Sequence, residues 1–303
     1  MPTSRALPLG VIVATVTMVA SVLSLPANAE PSLAGSVIRV VDGDTIEAGV
    51  GSGTERVRFL NIDTPEVGTC MADRATAFTE RQLPAGREVQ LRVDRDRRDP
   101  YDRLLALVKP TGGEWLSVSL AERGLGFPLA IAPNTRYYPR VVAAASRAER
   151  QGVGMFDPRR SCTPVSRARR ASTLTSEAQA MPVRSRTQYR AAMGKLDKAA
   201  ALLTLVTAAR YGATASSWFT SYARGLRVPA QKRVRAVRAA KTRQWHAAAN
   251  ASNNGGSGTN GGSGNNGSTS SNNSHDGWWP PGVPHSYNGP RCYQPGGVVW
   301  YPC

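Results

Sequence analysis

The sequence predicts a mainly β fold with helices (α+β): a small closed barrel of five short strands packed with three helices, followed by an Ala/Arg-rich helical region. Three observations predict it. Five β-branched or alternating stretches lie within residues 36–109, in hairpin order and joined by turns rich in Gly and Asp. Helical spacing of apolar residues follows the third and the fifth of these stretches. Beyond residue 163 the alternation stops and Ala and Arg dominate.

The chain has 303 residues, room for one or two domains with a sizeable core. Residues 1–29 read as a signal peptide: Arg5 opens it, LPLGVIVATVTMVASVLSL forms the apolar run, and Ala27-Asn28-Ala29 precedes a cut before Glu30. No later apolar run reaches the roughly 20 residues a spanning helix needs. The mature chain is therefore expected to lack a transmembrane segment, and to be a monomer that is secreted or held at the cell wall.

Ser36 to Val41 forms the first strand, Asp42-Gly43 a turn, and Thr45 to Ala48 the second strand. A glycine-rich turn over Gly49 to Gly53 leads to the third, Arg56 to Ile62. Val57, Phe59 and Leu60 are assigned to the core, and Arg58, at period two, faces away from Val57 and Phe59. Asp63-Thr64-Pro65-Glu66 ends this strand rigidly, because Pro65 fixes its own φ and biases Thr64 toward extended geometry. A helix is expected over 72–83, a strand over 88–93, a charged loop over 94–101 and a strand over 103–109. Two further helices, 114–123 and 138–151, stop at Gly124 and Gly152. This order fits an OB-type barrel over residues 34–163.

Charge is uneven along the chain. Residues 34–163 carry 19 Lys/Arg against 17 Asp/Glu, whereas residues 164–249 carry 17 against 2. Nearly all of the net +17 therefore sits in one segment. Such a segment attracts polyanions, among them nucleic acid, anionic cell-wall polymer and anionic lipid; the plainer alternative is a solvated basic face without a partner. Helices are expected over 188–210, over 216–227 with Trp218, Phe219 and Tyr222, and from Pro229 to about Ala249, the last basic nearly all round. Residues 250–275 form an Asn/Gly/Ser linker, and residues 276–303 an aromatic, Pro-rich C-terminal segment.

Export makes the four cysteines disulfide candidates, with three possible pairings. Pairing within each segment, Cys70 with Cys162 and Cys292 with Cys303, is the simplest, because the flexible tract separates the two pairs.

The chemistry concentrates in VRFLNIDTPE, Val57 to Glu66. Asp44 and Asp63 follow neighbouring strands, so a barrel brings their carboxylates together. Hard oxygen donors without histidine or cysteine suit calcium or magnesium, with the Thr64 carbonyl as a third ligand. Glu66 is placed to activate a water. Arg58 and Arg103 have the planar fork that grips phosphate oxygens. All three histidines lie beyond residue 245, which excludes a His-based acid/base pair from the barrel, and the barrel has no glycine-rich phosphate loop. Taken singly, DG is usually a plain hairpin turn and DTPE a rigid turn; their order and placement together argue for function.

VDGDTIEAG, VRFLNIDTPE and DPYDRLLALV resemble, in order, the three signature blocks of the thermonuclease family, over about residues 35–158. The resemblance implies an OB-fold barrel with three helices and a Ca2+-dependent phosphodiesterase that cuts DNA and RNA to 3′-phosphate and 5′-hydroxyl ends. It implies that Asp44, Asp63 and the Thr64 carbonyl bind calcium, that Arg58 and Arg103 contact phosphate, and that Glu66 is the general base. Asp42 resembles the outer-shell acid, and Tyr101 the tyrosine that helps hold the nucleotide's second phosphate. The family's lysine before that tyrosine is Pro100 here, and its two stacking tyrosines are replaced near Ala130 and Ala132, with Tyr137 and Tyr138 a little downstream. Cys70 and Cys162 resemble the extra disulfide of some exported relatives. The alternative is a non-catalytic nucleic-acid-binding module tethered to extracellular DNA or other anionic surfaces by residues 164–249. The intact set Asp44, Arg58, Asp63, Glu66 and Arg103 favours catalysis, since degenerate copies lose some of these.

Overall fold

The computed structural model describes residues 32–213, 215–254, 291–293 and 300–302. The expected signal peptide and the Cys292–Cys303 bridge lie outside the described residues, as does most of the linker expected over 250–275, whose first residues, 250–254, are instead helical. Two compact units are present, residues 1–253 and 254–303.

The first unit is built on a closed barrel, an OB-fold. Strands β1 (Ser32–Asp42), β2 (Thr45–Val50) and β3 (Gly53–Phe59) form an antiparallel meander. β4 (Ile62–Asp63) follows directly, then helix α1 (Ala72–Gln82), β5 (Glu88–Arg92) and β6 (Leu104–Pro110). The barrel order is β1-β2-β3-β6-β5, closed by β1 against β5. β1 serves two neighbours: Ser32 to Ser36 pair with β5, while Gly35 to Asp42 pair with β2 across two register shifts that bend the strand. β3 and β6 pair in parallel, with Arg58 opposite Leu105. Helices α2 (Leu116–Glu122) and α3 (Tyr138–Gln151) complete the expected three, with β7 (Phe127–Pro128) between them.

Alternation drives the barrel. Val37, Ile46, Val57, Phe59, Leu91, Ala106 and Val108 are buried in one cluster, as period two requires when a single face is apolar. The third strand lies three residues earlier than expected. It ends at Phe59, and Asn61 at φ 60° turns the chain so that Ile62 and Asp63 pair with β7 instead. Asparagine tolerates this left-handed conformation.

The helical region differs from its sequence reading in four respects. An additional helix, α4 (Pro164–Ala180), opens it, with the Thr163 side chain accepting from Ser166 N–H at 3.3 Å and Pro164 in the first turn. α5 spans Arg186–Thr204, shorter than the expected 188–210, and a 3-10 turn (Ala208–Tyr211) follows. α6 runs unbroken from Ser217 to Asn254 through Pro229, where two helices were expected. The residue that loses a hydrogen bond to Pro229 is Gly225, four positions earlier; both are exposed, so water can satisfy the freed carbonyl. Nor is α6 basic all round. Val234 and Val237 are buried against α4 and α5, and the Lys241 ammonium is buried too, donating to the Met181 carbonyl at the end of α4 (2.6 Å).

The barrel and the helical region share a core. Ala208, Tyr211, Ala213 and Phe219 belong to the barrel's own buried cluster, with Trp218 and Tyr222 packed on it. Cys70 and Cys162 form a disulfide across 92 residues. No helix among the described residues is long and apolar enough to cross a membrane. In the second unit, β8 (Arg291–Tyr293) pairs antiparallel with β9 (Trp300–Pro302).

Candidate active site

The turn between β1 and β2 is held by its own aspartates. Asp44 N–H donates to Asp42 Oδ1 at 3.0 Å, which fixes the hairpin. A Cβ on Gly43 would stand 2.7 Å from Thr64 Oγ1 and 2.9 Å from Ala75 Cβ, so only glycine lets this turn lie against the β4 turn. The Asp44 carbonyl accepts from Phe59 N–H, and Thr45 pairs with Arg58, so Asp44 and Arg58 emerge side by side.

Arg58 is the hub. Its guanidinium contacts Asp44 Oδ1 at 3.2 Å and Asp63 Oδ1 at 3.0 Å, and it also donates to the carbonyls of Phe59 (3.0 Å) and Ile62 (2.8 Å). Asp44 Oδ2 accepts from both Thr64 N–H (2.6 Å) and Thr64 Oγ1 (2.9 Å). Asp44 and Asp63 are 5% and 7% exposed. Burial raises both carboxyls despite the opposing Arg58, and Asp63 is pushed up to about 7, with Asp44, Glu66 and Asp42 adding like charge. Two buried acids thus share one arginine.

Asp42, Asp44, Arg58, Asp63, Thr64, Glu66 and Arg103 line one cavity of about 120 Å³. It adjoins a larger cleft of about 650 Å³ to which Arg58, Asp63, Glu66 and Arg103 contribute together with Tyr101. Every residue the sequence assigns to catalysis, metal or substrate therefore borders these two adjoining spaces. Glu66 is exposed, and Tyr101 is 81% exposed with the Arg103 guanidinium 5.5 Å from its ring centre. Among the described residues no three His, Cys, Asp or Glu side chains converge closely enough to hold a metal between them.

Sequence reasoning missed Asp99. Its Oδ2 accepts from Arg103 Nε at 2.6 Å, and its Oδ1 from the backbone N–H groups of Tyr101 and Arg103, each at 3.0 Å. Burial works to raise this carboxyl, but these hydrogen bonds and the Arg103 charge hold it below the usual carboxylate range. One aspartate therefore holds Arg103 through Nε and Nη2 and fixes the backbone at Tyr101, and among the described residues nothing bonds Arg103 Nη1. Its i, i+4 spacing to Arg103 was the available signal, hidden among the alternating charges of residues 94–99.

The downstream tyrosines do not line either space. Tyr137 is buried with Leu60 and Leu107, and Tyr138 borders a separate pocket beside Trp218 and Tyr222. Leu129, Ile131 and Ala132 face the larger cleft instead.

Residues 56–157 match the family described as staphylococcal nuclease homologue. A thermonuclease of Staphylococcus intermedius is 34% identical over 127 residues, covering 40% of this chain and 74% of the relative. A thermonuclease of Staphylococcus hyicus is 34% identical over 120 residues, 38% of this chain and 70% of its own. The Bacillus subtilis endonuclease YncB is 35% identical over 106 residues, 33% of this chain and 50% of its own.

Proposed function

The chain belongs to the staphylococcal nuclease family, and on that premise we propose that it is a secreted, calcium-dependent nuclease that hydrolyses phosphodiester bonds of DNA, RNA or both, leaving 3′-phosphate ends. The observation that carries this reading is the convergence of Asp44, Asp63, Glu66, Arg58 and Arg103 on one small cavity.

The donor set fits a hard divalent cation. Two buried carboxylates share a single arginine, and burial together with the neighbouring carboxylates drives Asp63 toward protonation, so a cation would relieve the crowded negative charge. With no third acid close enough among the described residues, the Thr64 carbonyl and water would complete the shell. When bound, the cation supplies Lewis-acid polarisation of a phosphoryl oxygen. Glu66, exposed at the cavity edge, takes a proton from the attacking water. Arg103 donates from Nη1 to the phosphate while Asp99 holds the rest of its fork. Arg58 stabilises charge from the opposite strand of the parallel pair. Tyr101 borders the substrate side of the larger cleft.

The test is incubation of the protein with DNA and with RNA, with calcium and then with chelator, followed by end-group analysis. Calcium-dependent cuts ending in 3′-phosphate are expected; no calcium-dependent cleavage of either substrate rejects the reading.

A second reading concerns grip on the polymer. α6 contains no acidic residue, and Lys232, Arg235 and Arg243 are exposed on it. They are proposed to hold extracellular nucleic acid or a similar polyanion. Because the helical region shares the barrel's core, the test replaces these three with Gln rather than deleting the region. A lower salt slope of DNA binding is expected, and an unchanged slope removes this role.

A further inference from the structure

The residue opposite Glu66 comes from far along the chain. Gly212, at φ +69°, lies so close that a Cβ there would stand 2.2 Å from Glu66 Cγ, 2.7 Å from Glu66 Cβ and 3.1 Å from Glu66 N. Gly212 and Ala215 also wall the larger cleft across from Tyr101 and Arg103. Glu66 has little else to hold it: its carbonyl accepts from Thr69 N–H (2.9 Å) and Thr69 Oγ1 (2.6 Å). Those bonds fix the turn and leave the side chain to its neighbours.

Gly212 is itself anchored on both sides. The preceding Tyr211 is fully buried; its hydroxyl lies 3.2 Å from the Cys162 carbonyl and accepts from Arg167 Nη1 at 3.0 Å. Cys162 is bonded to Cys70, four residues past Glu66. Covalent and hydrogen bonds thus run from Glu66 through Cys70, Cys162 and Tyr211 back to Gly212. On the other side Ser216 Oγ donates to the Pro128 carbonyl at 2.7 Å and accepts from Phe219 N–H at 3.1 Å. Pro128 pairs with Ile62 in the short ladder that also positions Asp63.

We propose that the segment carrying Tyr211, Gly212 and Ser216 is a positioning element of the active site, in which Gly212 seats Glu66 and limits its rotamers, so that the helical region completes a site whose reacting groups all lie in the barrel. This rests on the nuclease reading of the site. Glycine is required twice at 212, by its left-handed φ and by the absence of room for a Cβ.

The test compares Gly212→Ala with Gly152→Ala in the full chain. Gly152 has a matching φ of +65°, but its nearest atoms would lie at 3.7 Å or more, so it carries the backbone strain without the contact to Glu66. Gly212→Ala is expected to lower kcat at least about 10-fold with KM within about 2-fold, and Gly152→Ala to leave both near the parent values. In a Glu66→Gln background, Gly212→Ala should cost nothing further. Amide hydrogen exchange across residues 64–70 should quicken in Gly212→Ala and not in Gly152→Ala. Ser216→Ala, which adds no bulk, should give the same exchange pattern and a smaller loss of kcat. Equal losses in the two glycine variants, or unchanged exchange and kcat in Gly212→Ala, overturn the proposal. A parent protein that does not cut nucleic acid rejects the nuclease reading, while the exchange comparison still decides whether Gly212 seats the turn.

Discussion

The ring of Phe219 stacks on that of Phe127, 3.8 Å between centroids and 29° from coplanar. One ring belongs to α6 and the other to β7, whose backbone pairs with Asp63. The basic helices are therefore joined to the strand that carries a proposed metal ligand.

Replacing Phe219 by Ala is expected to destabilise the molecule by about 3–5 kcal/mol, as for other large buried aromatics. Barrel and helices should still unfold in one transition. Denaturation followed by far-UV circular dichroism and by Trp fluorescence checks this; two separated transitions would contradict the shared core.

Glu66→Gln and Arg103→Ala should each lose at least about 100-fold in cleavage rate, as removal of a transition-state group does. Glu66 is exposed, so Glu66→Gln should melt at the parent temperature. Near-normal rates in either variant would remove the role given to that side chain.

Asp99→Asn keeps the shape but weakens the hold on Arg103. A rate loss of about 10-fold is expected, and little further loss when it is combined with Arg103→Ala. Additive losses would mean that Asp99 acts elsewhere.

The pH dependence of the metal-free protein follows from Asp44 and Asp63. Both are raised in the fold relative to the unfolded chain, Asp63 to about 7. Such groups favour folding when protonated, so stability is present near the unfolded carboxyl range and is lost as pH rises toward 7. Asp99 and Asp157 are lowered and act only at or below the ordinary carboxylate range, outside this window. In chelator the melting temperature should fall between pH 5 and 7.5, and Asp63→Asn should flatten the slope; a slope unaffected by Asp63→Asn would be evidence against this assignment.

Much of the barrel and the gathering of the candidate site's side chains was legible because both are written locally. Alternation in Val57 to Phe59 marks a strand, Asp42-Gly43 a turn, and the acids and arginines sit at strand ends where topology gathers them. α4 was not legible because its buried face is Ala171, Thr175 and Ala178, small residues that give no apolar stripe. Pro229 read as a helix start because proline is at home in a first turn, and only the exposed Gly225 one turn before it shows how the helix continues. The placement of Gly212 against Glu66 depends on tertiary packing and has no local signature.

The path from Tyr211 and Gly212 to Glu66 has a consequence for the order of events in synthesis. A chain emerging N-terminus first holds every acid and arginine of the site once β6 is made, yet the wall behind Glu66 arrives about a hundred residues later. Until then the barrel also lacks Tyr211 and Phe219 from its core. On the proposed seating of Glu66, cutting would have to wait for residue 212, and a partial product ending before it would be a poor nuclease.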